Sequence, residues 1–138
     1  MAIDILYTDG RKGAVFAGSG RLKGAEFIAA NNELFARDFA TDPLLYVLFD
    51  ADHATAVDVT NDDVRRIADQ DVSASRQIPH LVVAIYAQES LTFGLARMWQ
   101  VYVQLSGWVT EIFRDRTAAV AWLKKEVATR TGVSIELT

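Results

Sequence analysis

The apolar and polar positions near the amino terminus alternate in a way that predicts a β-hairpin. Ile3, Ile5 and Tyr7 occupy every second position, and a second apolar group at residues 15–17 follows the segment TDGRKG. A period of two is typical of a half-buried strand, and Asp-Gly tolerates the positive φ of a tight turn. We therefore expect the chain to begin with two antiparallel strands.

Two later apolar runs, LLYVLFD and HLVVAIYA, are continuous rather than alternating. Such runs are typical of strands that are buried on both faces and covered by helices. Apolar residues at helical spacing predict a helix that ends near Asp38, a second that begins at Asn61 and a third from Leu91 to Leu105. The segment VTEIFRD predicts a last strand, and RTAAVAWLKKEVATRTG predicts a last helix.

Strands that alternate with helices imply right-handed crossovers and parallel pairing. The segment GSGRLKG is expected to turn the chain from the second strand into the first helix, and a short loop is expected between LLYVLFD and Asn61. The sequence thus predicts one α/β domain over residues 1–138. Its sheet is mixed and mostly parallel, has about five strands, starts with an antiparallel hairpin and is flanked by about four helices.

Capping residues mark the expected helix boundaries. The segment TNDD fits the capping box, in which the Thr60 hydroxyl accepts from a first-turn backbone N–H and Asp63 accepts from the N–H of Thr60. The other predicted start caps are Ser90 and Asp115, and the predicted stops are Gly107 and Gly132. Local chemistry therefore accounts for Thr60 without any regulatory role.

The third helix is apolar over much of its circumference. Its predicted core stripe is Leu91, Leu95, Met98, Tyr102 and Leu105, spaced by four, three, four and three. Further apolar residues lie on other faces, so the helix either lies deep in the core or meets a partner subunit or an apolar ligand. The residues predicted for such a ligand or dimer face are Phe93, Arg97, Met98, Trp99 and Tyr102.

The composition excludes several classes of function. The absence of cysteine excludes disulfides, thiolate catalysis and cysteine-ligated zinc. A net charge of −4 with scattered basic residues argues against a nucleic-acid partner. The first residues lack a secretory pattern, and no run of about 18 apolar residues occurs, so we expect a cytoplasmic protein without stable membrane insertion.

An acidic cluster is the best sequence argument for chemistry. Its members are Asp50, Asp52, Asp58, Asp62 and Asp63. The outline LFDADHA is similar to the D-x-D motif of haloacid dehalogenase phosphotransferases, but Ala54 stands where that family has Thr or Val. A cation site, a general base at His53 or His80 and an anion site at Arg21 and Lys23 are further alternatives. The prediction is a solvated loop, with no metal, cofactor or catalytic residue.

The order of elements, with the segments AVDVT, FGLARMWQ and FRDRTAAVAWL, resembles the STAS domain over nearly the whole chain. This is the fold of SpoIIAA-like bacterial anti-sigma-factor antagonists, and the chain is especially similar to small stand-alone STAS-like proteins of unassigned function. In the antagonists an Asp-Ser pair begins the helix after the third strand, and a partner kinase phosphorylates the serine. Asp58 matches the aspartate, but Val59 occupies the acceptor position, and Thr60 follows one residue later.

The resemblance implies two functions of different classes. The first is a non-enzymatic interaction domain that presents Asp58, Val59, Thr60 and Asn61, a vestigial switch, to a protein partner. The apolar helix over residues 93–102 is its candidate face for self-association as a homodimer. The second is a small-molecule binding module, because the resemblance implies kinship with the lipid-binding Sec14-type fold. A third, an enzyme that uses the acidic cluster, is the least favoured.

Overall fold

The computed structural model describes residues 2–138, which form five strands and four α-helices. The strands are β1 (Ile3–Thr8), β2 (Gly13–Lys23), β3 (Tyr46–Asp58), β4 (Val82–Tyr86) and β5 (Val109–Phe113). The helices are α1 (Gly24–Phe35), α2 (Asn61–Ala74), α3 (Ser90–Tyr102) and α4 (Arg116–Thr131), and a 3₁₀ turn (Val103–Ser106) extends α3. In residues 2–138, no helix combines the length and the apolar character that crossing a bilayer requires.

The strands lie side by side in the order of the sequence, β1-β2-β3-β4-β5. β1 pairs with β2 antiparallel, and every other neighbouring pair is parallel. The predicted mixed sheet of five strands, its opening hairpin and its four helices are thus confirmed. Each parallel pair is joined through a helix, which brings the strands together without crossing an edge of the sheet.

Helices cover both faces of the sheet, as the continuous apolar runs predict. Successive side chains of β3 alternate between the two layers, so that Val47 and Phe49 pack under α1, α2 and α3 while Tyr46 and Leu48 pack under α4. All four of these side chains are buried. The two-sided burial explains why LLYVLFD carries no polar position before Asp50.

The prediction was wrong for the segments GSGRLK (residues 18–23) and ADHATAVD (residues 51–58), because both are strand, and α1 begins directly after the first of them at Gly24. The pairing of β2 with β3 continues past the end of the sheet proper, from Ser19 opposite His53 to Lys23 opposite Asp58. Alternate side chains of this extension still face the core. Leu22 is fully buried, and Val57 packs against the same core cluster. We call residues 18–23 with 51–58 the ribbon. The ribbon contains glycines and polar residues, so its alternation of buried and exposed side chains does not show as an alternation of apolar and polar residues in the sequence.

The predicted core stripe of α3 was wrong at its ends, since Leu91 is 61% exposed and Leu105 is 88% exposed. The buried face consists instead of Thr92, Ala96, Trp99 and Val103, at spacings of four, three and four. Small residues at two of these positions let α3 approach the sheet closely, and they do not stand out in a hydrophobicity pattern.

Most of the predicted helix boundaries are confirmed. The Thr60 hydroxyl accepts from Asp63 N at 3.1 Å, and Asp63 Oδ2 accepts from Thr60 N at 3.0 Å. Asp115 accepts from Ala118 N, while Gly107 and Gly132 both adopt a φ of +75°. Ser90 was wrong as a cap: it is the first residue of α3, and the preceding Glu89 makes no side-chain capping bond.

The capping box predicts a specific stability effect. Thr60→Ala removes the acceptor for Asp63 N and should lower the free energy of unfolding by about 1 kcal/mol, whereas Thr60→Ser should leave it almost unchanged. Thr129→Ala, at an exposed position inside α4, is the control and should cause no loss. Urea denaturation measures all three variants, and an equal loss in the alanine and serine variants would contradict the capping role.

Candidate functional site

A cavity of about 120 Å³ lies between the sheet and the layer formed by α1, α2 and α3. Its walls are almost entirely apolar. The strands contribute Phe16, Val47, Phe49, Val57, Val83 and Ile85, and the helices with their adjoining segments contribute Phe27, Leu34, Phe35, Val59, Val64, Ile67, Leu81, Leu95, Ala96 and Trp108. The remaining lining residues are Asn31, Asp71, Thr92 and Trp99, of which only Asp71 carries a titratable side chain.

Asp71 joins the three helices that roof the cavity. The indole Nε1 of Trp99 in α3 donates to Asp71 Oδ2 at 2.7 Å, and Nδ2 of Asn31 in α1 donates to Asp71 Oδ1 at 3.1 Å. We call Asn31, Asp71 and Trp99 the triad. All three residues are buried, so these bonds form away from bulk water, where a missing donor would be costly.

The carboxyl group of Asp71 sits in an environment that favours its neutral form. Burial raises the pKa of Asp71 to about 7, against the opposing effect of the hydrogen bonds from Trp99 and Asn31. Among residues 2–138, no cation forms a salt bridge with it. The cavity therefore contains one acid whose charge changes near neutral pH and is balanced only by neutral donors.

A surface groove of about 210 Å³ borders the cavity at the carboxyl ends of β3 and β4, where ligands bind in open α/β sheets. Val57 and Thr92 line both spaces, which places the groove directly next to the cavity. The groove itself is lined by Ala51, Asp52, Ala54, Ala56, Ala87, Gln88 and Glu89 in addition. Its two charged residues are both acidic.

The five aspartates of the predicted acidic cluster do not converge on one point. Asp50 pairs with Arg116 at 2.8 Å, Asp58 with Arg21 at 3.5 Å and Asp62 with Arg66 at 3.3 Å. Asp52 accepts from the Tyr86 hydroxyl at 3.1 Å, and Asp63 caps α2. Within residues 2–138, no group of three or more side chains of the metal-binding types comes together. The two histidines, His53 and His80, are both exposed.

The segment from Asp58 to Asn61 is divided between the surface and the interior. Asp58, Thr60 and Asn61 are exposed, whereas Val59 is half-buried and lines the cavity. The residue that matches the phosphorylated position of the antagonists is thus part of the cavity wall. Binding of a protein partner at this segment remains a prediction.

The predicted face of α3 is also divided. Trp99 belongs to the triad and lines the cavity, while Phe93 lies beneath the guanidinium groups of Arg97 and Arg114, at 5.3 and 4.3 Å from its ring centre. Met98 and Tyr102 are half-buried, and the Tyr102 hydroxyl accepts from Arg65 at 3.3 Å.

The sequence indicates that Asp71 is buried, but an analysis of apolar positions alone does not detect this because the residue is polar. Val64, Ala68 and Asp71 follow one another at spacings of four and three on the inner face of α2, so an aspartate occupies a core position. Asn31 lies next to the buried Ala30 in α1 and is the corresponding signal there. A polar residue at a core position indicates either a buried network or a site.

Comparison with solved structures supports the fold assignment. The chain is similar to an uncharacterized protein of the DUF3478 family with a SpoIIAA-like fold from Shewanella loihica, with a TM-score of 0.53 and 17% sequence identity. The alignment covers 88% of this chain and 92% of the other. No protein-family model matches the chain, and no curated protein matches it. The likeness establishes a SpoIIAA-like fold, as the sequence resemblance implied.

The raised pKa of Asp71 predicts a stability that depends on pH. Between pH 4 and 7 the folded state retains a proton that the unfolded chain has lost, so stability should fall as pH rises and level off above about pH 7. The decrease should amount to about 4 kcal/mol at most. Urea denaturation across this range, in wild type and Asp71→Asn, isolates the effect because the variant has no proton to lose at residue 71.

Asp69→Asn, at an exposed position of the same helix, is the matched control. This variant retains Asp71, so its free energy of unfolding should still decrease between pH 4 and 7. If the difference in unfolding free energy between wild type and Asp71→Asn stayed constant from pH 4 to 8, the assignment of a buried neutral Asp71 would be wrong.

Proposed function

We propose that this SpoIIAA-like domain is a non-enzymatic binding module that takes a small apolar ligand into the cavity between the sheet and α1, α2 and α3. The single observation that carries the proposal is the apolar cavity itself. Interiors are normally packed without spaces larger than a water molecule, so an unfilled space of about 120 Å³ is unusual in a small domain. Ligand sites are concave and mostly apolar, and they contain a few polar groups. The lining of this cavity has the same composition.

The size of the cavity limits the ligand. An apolar cavity of about 150 Å³ in another protein binds benzene, so this smaller one suits a single ring or a short aliphatic chain. A full-length fatty acyl chain is larger than this cavity. The adjoining groove offers the route of entry, past Val57 and Thr92.

The residues around the cavity support binding rather than turnover. Asp71 is the one titratable residue of the lining, and its oxygens accept from an indole and an amide instead of activating a nucleophile. General acid–base chemistry needs a group positioned next to a second reacting group. The acidic residues of the sheet edge each have a separate partner, which favours a structural role for them.

A cavity-filling substitution tests this proposal. Ala96→Leu adds a branched side chain at a buried position of the wall, so it should fill the space, keep the fold and reduce binding of benzyl alcohol at least about tenfold. Trp99 and Trp108 both line the cavity, so quenching or a shift of tryptophan fluorescence measures binding directly.

The control is Ala128→Leu, which adds the same atoms at an exposed position of α4. It should bind benzyl alcohol like the wild type. If Ala96→Leu does not fold, Val64→Ile is a milder way to fill the same wall. Binding that does not saturate, or that is equal in wild type and the folded filled variant, would contradict the proposal.

Self-association through α3 is a second candidate function. It is supported by three large apolar side chains, Leu91, Val101 and Leu105, that are 61%, 61% and 88% exposed. Exposed apolar side chains along one helix are typical of contact surfaces. A second copy of the chain is the partner that we propose for this surface.

Charge on this surface should prevent the association. The double variant Val101→Asp with Leu105→Asp should remain folded, because neither side chain is buried, and should sediment as a monomer at concentrations where the wild type dimerises. The single variant Lys124→Asp, at an exposed position of α4, lowers the net charge by the same two units and is the control for the added charge. A wild-type protein that is monomeric at every concentration tested would rule out this candidate.

A further inference from the structure

We infer that the ligand of the cavity is a small apolar amine, held as an ammonium ion by the carboxylate of Asp71. This inference rests on the proposed binding function and specifies the chemical class of the ligand. It follows from the position of Asp71 in the cavity wall and from the charges of the residues that surround the cavity and the groove.

Asp71 has acceptor capacity left for a ligand. A carboxylate offers about four lone pairs, and the triad uses one on each oxygen, through Trp99 Nε1 and Asn31 Nδ2. An ammonium group donates and carries a positive charge, so it can use the remaining lone pairs and balance the buried charge. A charge-assisted bond of this type is about twice as strong as a neutral one.

The surroundings disfavour an anionic ligand. The lining of the cavity and the groove contains Asp71, Asp52 and Glu89 and no Lys, Arg or His. Arg114 lies beside the groove, where it donates to the carbonyl of the lining residue Gln88 and covers Phe93, and Arg116 is paired with Asp50. A carboxylate ligand such as a fatty acid would therefore find no cationic side chain in either lining, and it would be repelled by Asp52 and Glu89 and by Asp71 once that group is ionised, whereas a cation would be attracted to all three.

The groups that face Asp71 leave it as the sole ionisable partner. The lining contributed by α1 is apolar except for Asn31, that of α3 is apolar except for Thr92 and Trp99, and that of the strands is entirely apolar. None of these side chains changes charge between pH 5 and 8. Among the groups that line the cavity, Asp71 is thus the one through which pH acts on binding, and the comparison with Asp71→Asn separates its effect from that of His53, which lies 3.9 Å from Asp52 at the groove.

The balance of protons follows from this arrangement. In the free protein the carboxyl group is largely protonated at pH 6, because burial raises its pKa to about 7. An alkylamine, like the Lys side chain, is protonated throughout this range. Binding then joins an ammonium ion to an ionised carboxylate, and the proton of the carboxyl group leaves to the buffer.

Three matched single-ring probes test the inference on the wild-type protein: benzylamine, benzyl alcohol and benzoate. Benzylamine should bind at least about tenfold more tightly than benzyl alcohol at pH 7.5, and benzoate should bind more weakly than both. Isothermal titration in buffers of different ionisation enthalpy should show the release of close to one proton per benzylamine at pH 6 and none for benzyl alcohol.

The variant Asp71→Asn should lose the preference for benzylamine, so that the ratio of its affinities for benzylamine and benzyl alcohol falls about tenfold or more relative to the wild type. Asp69→Asn, exposed on the same helix, should change neither affinity. The proton-release measurement needs no variant, so a failure of Asp71→Asn to fold would not remove the test.

The outcomes separate this inference from the proposed function. Equal affinity for benzylamine and benzyl alcohol, with both probes excluded by Ala96→Leu, would overturn the amine and retain the cavity as a ligand site. Tighter binding of benzoate would also overturn the amine. If none of the three probes binds, both the inference and the proposed function are wrong.

Discussion

The hydrogen bonds of Asp71 are the constraint on which the helical layer depends. A buried carboxyl group must receive donors, and here one comes from α1 and the other from α3. Meeting this requirement fixes how both helices are rotated. Since Trp99 must turn inward to reach Asp71, Thr92 and Ala96 turn inward with it, and Leu91 is left on the surface.

The same constraint accounts for the space beneath the helices. The hydrogen bonds of the triad fix the positions of α1, α2 and α3 relative to one another, so the three helices cannot pack onto the sheet independently. The apolar side chains around the triad leave a cavity of about 120 Å³. Side chains that line an unfilled space lose part of their packing contacts, so the cavity carries a cost in stability. The cavity and the buried acid both lower the stability of the folded state, and both occur at the same place. Local losses of stability of this kind are typical of ligand sites.

The elements that sequence predicted well are those in which one physical signal dominates. LLYVLFD is buried on both faces, so its apolar run is not interrupted by a polar residue before Asp50. The cap of α2 depends only on residues that are neighbours in the sequence. The ribbon was missed because its burial depends on pairing between β2 and β3, which a linear pattern does not contain. The face of α3 was misassigned for the same reason: a tertiary bond from Trp99 to Asp71 outweighs the hydrophobicity of Leu91 and Leu105.

The start of α2 shows how the site differs from the switch that the resemblance implied. The position of the antagonist serine is Val59, whose side chain belongs to the cavity wall, and the next residue closes the first turn of the helix through its hydroxyl. With the helix start already capped by Thr60 and Asp63, a phosphate is not needed to order it. Any phosphate there would face Asp58, Asp62 and Asp63, which repel it. Val59 therefore belongs to the cavity wall and Thr60 to the helix cap, an arrangement that is consistent with the ligand-binding function that we propose.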